Sequence, residues 1–275
     1  LGGLSKKSFL VKQLSRDPHV PAILISTGNM LFPKTVPPEE LTAARTTADG
    51  FLQATRTMGG SVMGVGALDL AGGFSALLPY HQPPDFSLVS LNLVHPQTTK
   101  PIFSSVSWKM AGEVRIAVLG LTDHTAVSAE EGFQVIPWQD CLEQTLREVK
   151  SKADFILLLS NYPMAENQAI ARKMKDIDCI LQAGHVIGNV APILTNNTLI
   201  SQTEIRGKYL GVLDIEWNGR GQWQETAQPA SQAGVSWYRN RFIAMPISMH
   251  NDPAVEAIVK QTQRRLDKIR QQGNR

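Results

Sequence analysis

Two stretches of this chain, residues 114–121 and 155–159, are apolar at almost every position. A strand with one wet face alternates polar and apolar side chains, whereas a strand covered on both faces reads as a near-continuous apolar run. The chain must therefore bury a sheet beneath two layers, which restricts it to folds in which helices or a second sheet cover each face. Several apolar runs end in polar or glycine-containing turns. Residues 22–25 lead into Ser26-Thr27-Gly28-Asn29, 62–65 into Gly66-Ala67-Leu68-Asp69, 155–159 into Ser160-Asn161, and 180–181 into Gln182-Ala183-Gly184-His185. Ligands of open α/β sheets sit at the carboxyl ends of strands, so these four turns are the candidate site.

Helical signals separate the strands. Residues 5–14 read as a short helix, and Pro37-Pro38-Glu39-Glu40 opens a helix over 37–57 with Pro and acids in its first turn. Further helices are expected over 138–152 and 166–175, and strands over 87–93 and 178–181, with 74–81 irregular. After residue 197 the pattern changes. Strands at 198–202 and 209–217, joined by a short glycine-containing segment, are expected to pair antiparallel; 218–236 reads as a polar loop and 242–247 as a strand. Asn251-Asp252-Pro253 fits an N-cap with Pro at the first helical position. The helix over 254–271 then carries Val255, Ile258, Val259, Leu266 and Ile269 on one face. The expected division is a main domain over 1–250 and a connector or docking helix over 251–275.

At 275 residues the chain can bury a full core, and 43% hydrophobic with 19% charged residues is a globular composition. The net charge of +3 is not gathered into an aromatic-interleaved basic patch, so nucleic acid is not an expected partner. No apolar run approaches the ~18–20 residues of a membrane span. The chain begins Leu1-Gly2-Gly3 without Met, as a processed form or fragment would. Cys141 and Cys179 lack metal-type spacing, and a disulfide between them is one option. Asn196-Asn197-Thr198 matches the glycosylation sequon, a short and unspecific pattern.

Taken together, these segments resemble the N-terminal domain of the 5′-nucleotidase/UDP-sugar hydrolase family of calcineurin-like metallophosphoesterases. Leu1-Gly2-Gly3-Leu4-Ser5-Lys6-Lys7 is similar to the family's Gly-Gly-Leu-Ala-Arg segment, residues 23–29 to the strand ending Asp-Ala-Gly-Asp, and 62–73 to the strand leading into Gly-Asn-His-Glu-Phe-Asp. Ser90-Leu91-Asn92-Leu93, residues 118–122, 154–161, 178–187 and Gly207-Lys208-Tyr209-Leu210-Gly211 resemble later family motifs in the same order. The resemblance implies a layered α/β fold, with a central sheet pair flanked by helices. It also implies export to the periplasm or cell exterior.

Carried over position by position, the resemblance puts Asn29 where the family has its metal-bridging Asp. Ala67 and Leu68 stand at the Asn and catalytic His, Ala71 at the closing Asp of that motif, Asn161 at a His ligand and Ile187 at the last His. Asp69, Asn92 and His185 remain polar. The family's opening Asp-x-His lies upstream of the segment matched by Leu1. Two dications ~3.5–4 Å apart repel by roughly 18 kcal/mol at an effective dielectric of ~20, and a bridging carboxylate offsets much of this. An Asn brings no charge, while Ala, Leu and Ile bring no donor atom. No catalytic residue, metal or cofactor is therefore assigned.

Each surviving polar group also has a structural role open to it. His185 suits a backbone hydrogen bond in its turn, Asp69 a turn cap, and Asn29 and Asn161 strand-end turns. His81, His95, His124 and His250 carry no assigned chemistry. Three functions follow. The first is a catalytically degenerate domain acting as a structural or interaction module with a protein partner or in self-assembly. The others are a metal-dependent hydrolase of nucleotides or other phosphate esters, and a non-hydrolysing nucleotide or anion binder. The resemblance further places a strand beside 22–26, so that segment is expected to pair on both sides, with the outer strand supplied by residues upstream of Leu1, by a retained cleaved peptide or by another chain.

Overall fold

The computed structural model describes residues 3–33, 36–59, 62–83, 85–127, 132–183, 188–226 and 234–273. The chain opens with α1 (Leu4–Leu14), β1 (Ile25–Ser26), α2 (Leu41–Thr57, preceded by a 3-10 turn at Pro38–Glu40) and β2 (Val62–Gly64). Three 3-10 turns span much of 67–80, followed by β3 (Ser87–Val89), β4 (Leu93–Val94), β5 (Val106–Ala111), β6 (Val114–Leu121) and β7 (Gln134–Val135). Next come α3 (Leu142–Val149), β8 (Phe155–Ser160), α4 (Met164–Lys173), β9 (Cys179–Gln182), β10 (Val190–Thr195) and β11 (Thr198–Gln202). The chain continues through β12 (Tyr209–Glu216), β13 (Gln222–Glu225), β14 (Val235–Ala244) and α5 (Pro253–Gly273).

Among the described residues the strands form a six-stranded sheet in the order β10-β11-β9-β8-β6-β5 and a parallel sheet β1-β2-β3. A third sheet runs β12-β14-β13, and β4 pairs with β7. The period of two along β8 sorts the core. Ile156 and Leu158 point into a cluster with Leu142 and Leu146 of α3 and Ile170 and Ala171 of α4. Phe155, Leu157 and Leu159 face the other way, onto Val62 and Val89 of the parallel sheet and Trp223 of the third. Beyond the parallel sheet, Met63 and Leu88 meet Ala48 and Leu52 of α2. The result is helix, sheet, sheet, helix, an α/β sandwich whose buried strands needed apolar residues on both faces.

Three expectations are corrected. Strands 198–202 and 209–217 do not pair: β11 lies between β9 and β10, whereas β12 pairs with β14. The polar stretch 218–236 contains β13 and the start of β14, where Trp223 is buried against Phe155. The strand expected over 22–26 contracts to Ile25–Ser26; within the described residues it pairs with β2, and its expected outer partner belongs to a segment or chain beyond them. Cys141 and Cys179 are free thiols, with Cys179 inside the core. Strands β5 and β10 were not foreseen. Asn196 and Asn197 both have positive φ (47° and 66°) between the paired Thr195 and Thr198, so the sequon forms a two-residue hairpin turn.

Helix α5 lies on α2 and α1. Val255 is buried with Ala54 and Met58 of α2 and Leu4 of α1. At the crossing, a Cβ on Gly50 would run into Thr262. Asp252 fixes the start of α5, accepting from Ser8 Oγ and Lys12 Nζ, both at 2.5 Å, and from Ala254 N–H at 3.0 Å.

Candidate functional site

The carboxyl ends of β1, β2 and β8 converge at Gly66. A Cβ there would collide with the side-chain oxygens of both Asn29 and Asn161, and one on Gly28 (φ 90°) would strike the Gly64 carbonyl. Glycine is therefore required for three strand-end turns to close on one point. Asn29 itself is left-handed (φ 58°), a conformation Asn tolerates better than most residues.

Asp69, with no exposed surface, organises this corner. Its carboxylate accepts backbone N–H groups from Asn29 (2.7 Å), Met30 (2.8 Å), Leu31 (3.0 Å) and Gly66 (2.8 Å). Burial pushes its pKa above the usual carboxylate range, while the four N–H donors pull against that shift. Four donors and no acceptor suit the ionised form. The two amides are also engaged in the scaffold: Asn29 Oδ1 accepts the Leu68 N–H (2.9 Å), and Asn161 Nδ2 donates to the Thr27 carbonyl (2.8 Å). Ala67 and Leu68 stand half-buried on the 3-10 turn between them.

Asn92 belongs to the layer beneath. Fully buried, it donates to the Thr122 and Ile136 carbonyls (2.7 and 2.9 Å) and accepts the Thr122 N–H (2.8 Å). Thr122 Oγ1 donates in turn to the Val65 carbonyl at 2.6 Å, tying the end of β6 to the residue after β2. Asn29, Ala67, Leu68, Asp69 and Asn161 thus meet at one corner, with Asn92 behind them. His185 and Ile187 lie outside the described residues.

A neighbouring cluster at the ends of β6 and β8 has no signature in the sequence. The Tyr162 hydroxyl, whose pKa burial raises, lies 2.7 Å from His124 Nδ1. Buried Asp123 accepts the Thr125 N–H and hydroxyl at 2.9 and 2.7 Å. No pattern of spacing links 123–124 to 162; the adjacency of β6 and β8 does.

A helix–sheet–sheet–helix sandwich with its polar corner at the carboxyl ends of the strands is the calcineurin-like phosphoesterase fold, in the form found in 5′-nucleotidases. Two solved structures carry it over 98% of this chain. They are a 5′-nucleotidase precursor from Thermus thermophilus (TM-score 0.75, 16% identity, 54% of that chain) and the calcineurin-like phosphoesterase YfkN from Bacillus subtilis (TM-score 0.72, 16% identity, 91% of that chain). In sequence, the chain is 28% identical over 141 residues to the uncharacterized metallophosphoesterase YunD of Bacillus subtilis, a match covering 48% of this chain and 29% of YunD. The chain thus spans under a third of that relative and about half of the nucleotidase precursor. No family model matches.

Among the described residues, no group of three or more His, Cys, Asp or Glu side chains stands where it could hold a metal ion. Among the described residues the corner offers two neutral amides and one carboxylate already committed to four N–H groups. No described helix is long and apolar enough to cross a membrane.

Proposed function

We propose that this is a catalytically degenerate metallophosphoesterase domain serving as a structural or interaction module, exported like the nucleotidases it resembles. The observation that carries this reading is the bonding of the corner. A dinuclear centre needs charged ligands turned towards its cations. Here the Asp69 carboxylate is turned into a backbone cradle, and the Asn29 and Asn161 amides fasten neighbouring turns. That donor set, taken over the described residues, does not fit two divalent metals, and no catalytic step is assigned to it. Among the described residues β1 pairs with β2 alone, and a parallel edge of this kind can accept a strand either from the upstream part of its own protein or from another chain.

The hydrolase reading is favoured by the relatives, which carry phosphoesterase and nucleotidase names. The non-hydrolysing binder would rest on the amides of Asn29 and Asn161 at the strand-end corner. Purified protein supplied with manganese or zinc and assayed on nucleoside monophosphates is expected to show no turnover above buffer. Turnover that disappears in His185→Ala would establish the hydrolase instead. Calorimetric titration with the same nucleotides then separates the module from the binder.

A further inference from the structure

The outer edge of the parallel sheet, along and beside β3, is closed by groups that do not form a strand. Alternate backbone N–H groups there point away from β2, and each finds an acceptor. Phe86 N–H donates to the Gln82 carbonyl and Ser90 N–H to the Ser104 carbonyl, both at 3.1 Å. Between them, Leu88 N–H donates to His81 Nδ1 at 3.2 Å. An imidazole thus stands where a neighbouring strand would place a carbonyl. A backbone N–H can only donate, so Nδ1 must be bare and the ring proton must sit on Nε2. Nε2 lies 3.3 Å from Ser104 Oγ, which accepts that proton, and the ring meets Phe103 edge to face. His81 therefore joins three segments: the 3-10 turn at Leu78–Tyr80 that it caps, β3, and residues 103–104.

Two of these three edge acceptors are carbonyls, which do not titrate; the third does. A second proton on the ring would turn Nδ1 into a donor facing the Leu88 N–H, and Leu88 has no exposed surface through which water could replace the lost acceptor. We propose that His81 is a pH-sensitive clasp: neutral, it seals the outer edge of β3 and pins the far end of the 3-10 segment that carries Asp69; protonated, it releases both. Burial pushes the ring's pKa below the ordinary histidine value. The charged groups on the elements around it are Asp85 of the 82–86 turn and Lys109 of β5, which act on each other. A lowered histidine favours the folded state while neutral. The clasp is therefore complete above the unfolded value of about 6.5 and is lost as pH falls below it. None of this depends on what the corner binds.

Heteronuclear NMR of the whole chain tests the proposal, with the His81 ring signals identified by their loss in His81→Asn. At about pH 8 the ring should carry its proton on Nε2 alone, and its midpoint should fall below about 6.5. Hydrogen exchange at Leu88, expressed as protection relative to an unstructured amide, should fall about fivefold or more between about pH 8 and about pH 5, the worth of one hydrogen bond. Asparagine can place an amide oxygen where Nδ1 stood and does not titrate, so Leu88 protection in His81→Asn should hold steady over the same range. His81→Phe keeps a ring without an acceptor and should show the low protection at both ends. If that variant unfolds, the wild type and His81→Asn decide the matter. The proposal is overturned by a neutral ring protonated on Nδ1, by a midpoint at or above about 6.5, by Leu88 protection that does not change in the wild type, or by an equal fall in His81→Asn.

Discussion

Asp69 shows how one side chain can hold the shape of a strand-end corner through backbone hydrogen bonds. Removing its carboxylate leaves four backbone N–H donors without their acceptor, three of them on the turn that carries Asn29. Each buried unsatisfied donor costs about 1–3 kcal/mol, so Asp69→Ala should lose at least about 3 kcal/mol in denaturant unfolding even if water reaches some of them. A loss within about 0.5 kcal/mol, the usual range for surface changes, would show that the cradle is dispensable. Asp178 supplies a pH signature. Burial raises its pKa to about 6, against the opposing pull of the Ile156 N–H and Arg220. A raised carboxyl favours the folded state when protonated. Its contribution is therefore full below the unfolded value of about 3.9 and is lost as pH rises through about 6. Carbon-detected NMR should place its midpoint near 6, and Asp178→Asn should remove that slope from the stability profile. At this scale the sequence was informative about residue type and silent about direction. Asp69 is legible as a turn residue, but its bonds to residues 29–31 depend on β1 and β2 lying side by side.

Elements with local signals were the legible ones. The start of α5 follows from Asn251-Asp252-Pro253, and α2 from its proline and acidic opening. Strand pairing was not legible, because β11 and β12 are near in sequence but their partners are chosen by which faces need covering. β5 carries a mixed alternation, and β10 turns on Asn-Asn rather than a glycine pair, so neither has a clear local strand signal. Two predictions belong here. In an exposed helix Gly→Ala stabilises by roughly 0.5–1 kcal/mol. Gly50→Ala should instead destabilise by about 1–3 kcal/mol through overpacking against Thr262, and Thr262→Ala should relieve it. A raised melting temperature in the single variant would contradict the close crossing of α2 and α5. The Lys12 contact, with Ser8, lowers the Asp252 pKa to about 2, so its stabilisation holds above about 3.9 and fades as pH falls towards 2. Asp252→Ala should cost about 1–2 kcal/mol as a lost helix cap at neutral pH, and less in acid. An unchanged deficit at about pH 2 would count against the ionic part.

For the whole molecule, the layered sandwich was legible because near-continuous apolar strands demand cover on both faces and helices alternate with them. The relation of the corner to its relatives rests on residue-by-residue resemblance, and His185 and Ile187 complete that comparison from outside the described residues. If the side of β1 that meets no strand among the described residues takes one from a second copy, light scattering should give a mass above one chain that falls on dilution. A constant single-chain mass would remove self-assembly as the occupant of that edge. The central claim, that the corner is fastened by amides and backbone rather than built to hold cations, is tested most directly by metal stoichiometry. Protein incubated with excess manganese or zinc, desalted and subjected to elemental analysis should retain far less than one ion per chain. Two ions per chain, lost in His185→Ala, would contradict it.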